Sequence, residues 1–442
     1  MATGDERSGL NRAIWAIALP SMLTNVATAL FGLADLWVIG RLGEAEPQAG
    51  VELGAKFMMG LLIVFNFLRT GTIALTAQAA GRRDEEAQAA TLARALGVSL
   101  AIGLALLALK PVVIPWGMEL LHARGAVARE AGLYVGIRYW GGLLWLANVA
   151  LMGWLIGRRR VRAVLWTEIG SNLVHIALDI AFVLGFGWGV AGVAAATLVS
   201  EGGKTLVLAA VTARQQPARR ALAAAARRET WSAAAMGALF RLNRDLFLRT
   251  LLLTAAILLL TRQGAQQGPM VLAANGILYQ LFILSALILD GFESAAQVLC
   301  GEAVGARDRA RFDALVRRLV LWGLGGGAVF SLVYALLGAR FAASFSTDPA
   351  VVATTLEYVP WAVLLPLLGV TSYVFDGVYI GATWTRAMLL TMIAAIAVYS
   401  ALLIVAAPLG NHGLWLAFSL FLIARAAAQA ALLPRLRRGT FG

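Results

Sequence analysis

Twelve apolar stretches, each long enough to cross a bilayer, run almost end to end along this 442-residue chain. A spanning helix needs about 20 such residues. The stretches cover roughly 11–40, 51–80, 91–116, 128–157, 163–186, 189–212, 236–261, 270–303, 312–338, 350–381, 386–408 and 411–433. With 60% of its residues hydrophobic and 14% charged, the chain lacks the polar side chains to cover the two or three domains that a soluble protein of this length would form. The expected fold is all-α: an integral membrane protein of twelve transmembrane helices.

Charge orders these helices across the membrane. The connections alternate between basic and less basic. One set, made of Arg7, Arg12, Arg82, Arg83, Arg94, Arg158–Arg160, Arg162, the 214–249 stretch, 307–318, Arg386 and the tail at Arg435–Arg438, carries 26 of the 37 positive charges. The opposite set carries eight, among them Arg41, Lys56, Arg138 and Arg340. By the positive-inside rule the richer set is cytoplasmic, with both termini inside a cell inner (plasma) membrane. The net charge of +13 thus reads as a membrane signal, and no nucleic-acid partner is expected. The single Cys300 excludes an intrachain disulfide and any cysteine metal site. No GxxxxGK[ST] loop occurs, so ATP is not the expected energy source.

The chain repeats itself. AQAAGRRDEEA (77–87) and GEAVGARDRAR (301–311) superpose at an offset of 224, and so do LMGWLIGRRRVRA (151–163) and FDGVYIGATWTRA (375–387). Each half then holds six spans: an N-terminal lobe at 1–213, a basic cytoplasmic linker at 214–235 and a C-terminal lobe at 236–442. An even span count per half gives parallel, pseudo-symmetric repeats, an arrangement that many secondary transporters share.

Ionisable residues inside hydrocarbon are costly and normally face protein or a water-filled cavity. On the fifth segment, Glu168, Asn172, His175 and Asp179 are spaced 4, 3 and 4 apart, which puts them on one helical face. At about 1.5 Å per residue, Asp35 lies roughly 7–8 Å, Asp179 roughly 9 Å and Thr197 roughly 12 Å below the outer ends of their segments. Two carboxylates meeting at that level can share a proton or hold a small cation, and His175 lies one turn from Asp179 on the same face. Pro20, inside the first segment, removes one helical hydrogen bond and permits a bend. Further polar residues mark a cavity or an inter-lobe seam: Asn66 and Arg69, their repeat partners Asp290 and Glu293, then Asn172 and Asp376. Arg69 is the one base read as lying deep, roughly 18 Å from the cytoplasmic end, too far to snorkel.

Several of these motifs together resemble the multidrug and toxin extrusion (MATE) family, in particular its DinF-like branch. They are IALPSMLTN with GLADLWVIGRLG, LRTGTIALTAQAAGRRD, LDIAFVLGFGWGVAGVAAAT, LDGFESAAQVLCGEAVGARD and FDGVYIGATWTRAM, in that order along the chain. The resemblance implies the MATE fold of two six-helix lobes, and an antiporter that exchanges small organic, often cationic or amphipathic compounds for inward protons or sodium. It assigns the cation site to Asp35, His175, Asp179 and Thr197 and the hinge to Pro20. It implies no enzymatic activity, no bound metal or other cofactor, and a monomer among membrane lipids. His175 departs from the family pattern, where asparagine is typical. Imidazole offers nitrogen in place of amide oxygen, which favours protons over sodium. The alternative within the same superfamily is a flippase for lipid-linked oligosaccharides or lipids, which would need a cationic cavity.

The orientation is open to a direct check. In a Cys300→Ser background, cysteines placed at 262–268 and 410–412 should react with an impermeant reagent added from outside, and cysteines at 214–235 should not. Outside labelling of 214–235 would overturn the topology and the repeat geometry together.

Overall fold

The structure, a computed structural model, describes residues 4–442 and, apart from residues 4–7, Leu30, Phe31 and Leu33, their side chains. The described residues form helices and turns without strands. The first half runs α1 (Gly4–Gly40), α2 (Ala45–Ile63), a 3-10 turn (Val64–Asn66), α3 (Phe67–Gly81), α4 (Glu85–Leu120), α5 (Gly125–Arg138), α6 (Gly141–Gly157), α7 (Val161–Asp179), a wider π turn (Ile180–Gly185) and α8 (Gly189–Ala213). Short helices α9 (Gln216–Arg219) and α10 (Ala221–Ala226) follow. The second half holds α11 (Ala233–Gln266), α12 (Pro269–Gly305), α13 (Arg309–Phe345), α14 (Pro349–Gly381), α15 (Thr385–Val405) and α16 (Gly410–Phe441).

Among the described residues, ten helical segments are long and apolar enough to cross a membrane, and the pair α5 and α6, bent by 51°, makes an eleventh if it forms one span. The remaining expected segment is α11. Its 34 residues have the length, but Arg241, Arg244, Asp245, Arg249 and Arg262 dilute its hydropathy. A polytopic, all-α membrane protein is therefore what the chain forms.

The offset of 224 extends to backbone detail. Adding it to Ala45, Glu85 and Gly125 gives Pro269, Arg309 and Pro349, the starts of α12, α13 and α14. Asp84 and Asp308 both cap the following helix, accepting from Ala87 N at 2.8 Å and from Arg311 N at 2.9 Å. The left-handed residues Arg83 and Arg307, and Arg159 and Thr383, are also equivalent. Close helix crossings repeat as well. A Cβ on Gly153 would lie 2.7 Å from Arg69 O, and one on Gly377 would lie 2.3 Å from Glu293 O. In lipid, such small-residue contacts replace the hydrophobic effect as the force between helices. The copies differ in continuity: α12 and α14 are unbroken where their counterparts are interrupted at Val64–Asn66 and between Arg138 and Gly141.

By packing, the chain divides into two units, Leu23–Leu239 and Met1–Met22 with Phe240–Gly442. In the first, Val38, Ile39, Val51, Met58, Tyr134 and Val193 form a fully buried cluster that joins α1, α2, α5 and α8. The segment 214–235 is folded onto α4: Arg94 Nε donates to Thr230 O at 2.7 Å, and Arg220 pairs with Glu85 at 3.1 Å. In the second unit, the start of α1 is seated by Trp15 against Phe292 and Trp322, with ring centroids 5.5 and 5.2 Å apart. Asn11 Oδ1 there accepts from Arg318 and from the Trp322 indole at 2.8 and 3.1 Å.

The crossings predict a selective cost. Gly377→Ala drives a methyl group into the α12 backbone and should lower stability by about 1–3 kcal/mol. Gly276→Ala, with nothing within 4 Å of its Cβ, should not. Thermal unfolding of the two purified variants reads the difference, and equal melting temperatures would refute it.

Candidate functional site

The polar stripe on α7 faces inward. Glu168, His175 and Asp179 are buried and Asn172 half-buried, while Leu173, Val174 and Ile176 are exposed. Asn172 Nδ2 donates to Ala27 O at 2.7 Å, which fixes α7 against α1. One helical turn further along, His175 Nε2 lies 2.6 Å from Asp35 Oδ1 and 3.1 Å from Asp179 Oδ2. The three side chains are at most 3% exposed. The Asp179 carboxylate meets the imidazole through Oδ2 and also lies close enough to Asp35 for the two acids to interact. Asp179 ends α7 at the π turn, whose wider coil separates it from the next α-helical turn.

Asp35 has a second partner. Tyr134 OH donates to its Oδ2 at 3.3 Å, and Arg138, one turn along α5, donates to the same phenol oxygen. The break after Arg138 lets this guanidinium cap the cluster at the end of α5. On the other side, Ser200 Oγ lies 3.4 Å from His175 Nδ1 and donates to Thr197 O at 3.0 Å. With the serine proton committed to that carbonyl, Nδ1 is the donor and Nε2 is the nitrogen presented to the acids. The Thr197 hydroxyl turns back onto Val193 O at 3.1 Å, so Thr197 meets this site through its carbonyl.

A second polar group lies along the same two helices. Lys204 Nζ sits 2.6 Å from Glu168 and 3.9 Å from Glu201, and Asn148 Nδ2 donates to Glu201 at 2.7 Å. Arg69, half-buried on α3, is close enough to act on Lys204 electrostatically. Asn66 is exposed in the 3-10 turn, where its carbonyl faces Thr70 Oγ1 at 3.5 Å.

In the other unit, Asp376 on α14 is held by Arg249, by Arg425 at 2.5 Å and by Gln429 Nε2 at 2.7 Å. Glu293 accepts from Gln297 at 2.9 Å, and Asp290 acts electrostatically on Arg249 and Tyr373. Pro20 is buried, three residues before Leu23. The expectation that Arg69 is the one deep base is corrected: Arg425 is buried, and Lys204 and Arg249 are half-buried like Arg69. Lys204 has Glu168 and Glu201 beside it, and Arg249 and Arg425 share Asp376, so each of these bases has a carboxylate against it. His412 stands in the first turn of α16, with its Nδ1 accepting from the Trp361 indole.

A duplicated bundle of apolar helices with an acid–imidazole–acid cluster sealed in one repeat defines a polytopic membrane transporter. The MatE family model matches residues 20–181 and 246–405, one match per repeat, and the chain belongs to that family. It is 33% identical over 432 residues to the DNA damage-inducible protein F of Escherichia coli (strain K12), covering 98% of this chain and 94% of that one. It is 29% identical over 436 residues to a probable multidrug resistance protein NorM of Deinococcus radiodurans, covering 91% and 90%. A crystal structure of MATE in the bent conformation matches with a TM-score of 0.89 at 18% identity, over 98% of this chain and 97% of that one, which shows the fold.

The Lys204 group yields a stability prediction. Lys204→Met leaves Glu168 buried without its partner and should cost about 3–5 kcal/mol. Adding Glu168→Gln should restore most of the loss, as read by thermal unfolding in detergent. No recovery in the double variant would show that the ion pair is not what Lys204 contributes.

Proposed function

We propose that the protein is a proton-coupled exporter of small organic, cationic or amphipathic compounds, and that it works by alternating access between lobes at 1–213 and 236–442 joined by the linker 214–235. The observation that carries this reading is the buried contact of Asp35, His175 and Asp179. Two carboxylates and one imidazole at 2.6 and 3.1 Å cannot hold all their charge states without water, so the cluster must exchange a proton when its surroundings change. Ser200 leaves Nε2 as the atom that takes or gives that proton. Asp35 also lines a cleft of about 160 Å³ together with Glu52 and Lys56, which would give protons a way in.

Proton uptake would remove negative charge between α1 and α7. It would release the outer half of α1 to bend near Pro20 and displace the substrate. Each pH unit of gradient supplies about 1.4 kcal/mol per proton, enough to tilt a two-state equilibrium roughly tenfold. The multidrug name of the Deinococcus relative supports a broad organic substrate class. On this reading the protein acts as a monomer in the inner membrane with both termini in the cytoplasm. Asp290, Glu293 and Asp376, tied to Arg249 and Arg425, would be fixed elements of the opposite lobe, and Asn66, Arg69 and Asn172 would line or brace the first.

Proteoliposomes with an imposed pH gradient, assayed with and without sodium, test the reading. Wild-type protein should export a fluorescent organic cation and dissipate the gradient without sodium. Asp35→Asn should abolish gradient-driven efflux while keeping the wild-type melting temperature. Wild-type rates from Asp35→Asn, or a strict sodium requirement, would sink it.

A further inference from the structure

We infer that Asp35, His175 and Asp179 form a binding site for a divalent transition-metal ion of the zinc, cobalt or nickel type. One ligand atom from each residue lies within 4.8 Å of the others, and all three residues are buried. The proton site proposed above and this metal site use the same atoms, but metal binding stands or falls without transport.

The donor set selects the ion. An imidazole nitrogen with two carboxylate oxygens suits zinc and its neighbours, whereas calcium and magnesium ask for six or more oxygens. Three protein ligands and one open position is the usual arrangement of an accessible zinc site. Four-coordinate geometry at metal–ligand distances near 2.0–2.2 Å sets ligand atoms roughly 3.3 Å apart. The present separations of 2.6 and 3.1 Å reach that with a widening of under about 1 Å.

A second observation points the same way. Asp179 is fully buried, and its carboxylate has the His175 imidazole and the Asp35 carboxylate beside it but accepts from no backbone N–H or hydroxyl donor. A buried carboxylate with such spare acceptor capacity is what an incoming cation would satisfy. The outer ring nitrogen is prepared as well: ligating histidines normally donate their other N–H to a neighbour, and Ser200 Oγ at 3.4 Å from Nδ1 occupies that place. Tyr134 and Arg138 engage Asp35 through Oδ2, leaving Oδ1 toward His175. Arg138 is in turn acted on by Glu201, so one base and one further acid stand behind the cluster.

The proton that bridges His175 Nε2 and Asp35 must leave when metal binds, so metal and proton compete. The balance is one metal ion in and one proton out. Affinity should rise about tenfold per pH unit for each proton displaced. A bound ion would also tie α1 to α7, and so hold the first lobe in one state.

The test uses full-length protein purified in detergent on a histidine-free tag. Titration with Co²⁺ should give the strong visible absorption of four-coordinate cobalt with nitrogen and oxygen ligands. Calorimetry with Zn²⁺ should give one tight site. Affinity should fall at least about tenfold in His175→Asn and Asp179→Asn, and stay unchanged when the other two histidines are removed together in His122→Ala/His412→Ala. Absent binding, or binding lost with His122 and His412 but kept in His175→Asn, would overturn the assignment. Should the buried variants fail to fold, the pH series on wild-type protein remains decisive: no pH dependence would mean that no proton is displaced and that the site is elsewhere. Failure of proton-driven efflux alone would count against the transport reading and leave this one standing.

Discussion

A carboxylate removed from water costs several kcal/mol unless a countercharge or a proton goes with it. The placement of polar residues in this chain follows from that cost. Asp376 takes Arg249 and Arg425, and Glu168 takes Lys204. Asp35 and Asp179 have an imidazole instead, with Arg138 one residue removed through Tyr134. Arginine is a permanent countercharge, whereas imidazole is a conditional one. Asp376 and Glu168 are therefore buried by fixed countercharges and the Asp35–Asp179 cluster by one able to change, so the first unit holds both kinds.

The duplication makes the contrast sharper. At the repeat offset, Asp35, His175 and Asp179 correspond to Leu259, Tyr399 and Leu403, so the second copy has no such cluster. Two further pairs reverse sign: Arg69 corresponds to Glu293, and Glu201 to Arg425. Helix ends, caps and glycine crossings kept their positions in both copies, because a change there would force backbones apart. Interior charge was free to diverge as long as a partner diverged with it.

Much of the fold was legible from residue order. Twelve apolar stretches and one offset located the helices, because both signals act along a single chain. The α7 stripe was legible for the same reason: a period of 3.6 residues states which side chains share a face. The partners were not. Arg138 read as loop charge because nothing in GIRYWGGLL shows that a bent helix pair turns it inward toward Tyr134. Lys204 and Glu201 were overlooked beside Thr197, and the Thr197 hydroxyl bonds within its own helix. Arg249 and Arg425 passed as ordinary basic residues, although Asp376 lies 127 and 49 residues away from them along the chain. Pairing across helices depends on which faces meet, and periodicity describes only one helix at a time.

The division of α1 between the two units has a consequence for synthesis. Trp15 finds its neighbours at Phe292 and Trp322, and Met22 packs against Gly291. The ribosome makes Trp15 nearly 280 residues before Phe292, whereas Asp35, on the same helix, waits only until Asp179 to be surrounded. One end of the first helix therefore settles while the chain is half made. The other end must lie in the membrane without its final neighbours until α12 and α13 arrive, so the turns of α1 that are made first are packed after those that follow them.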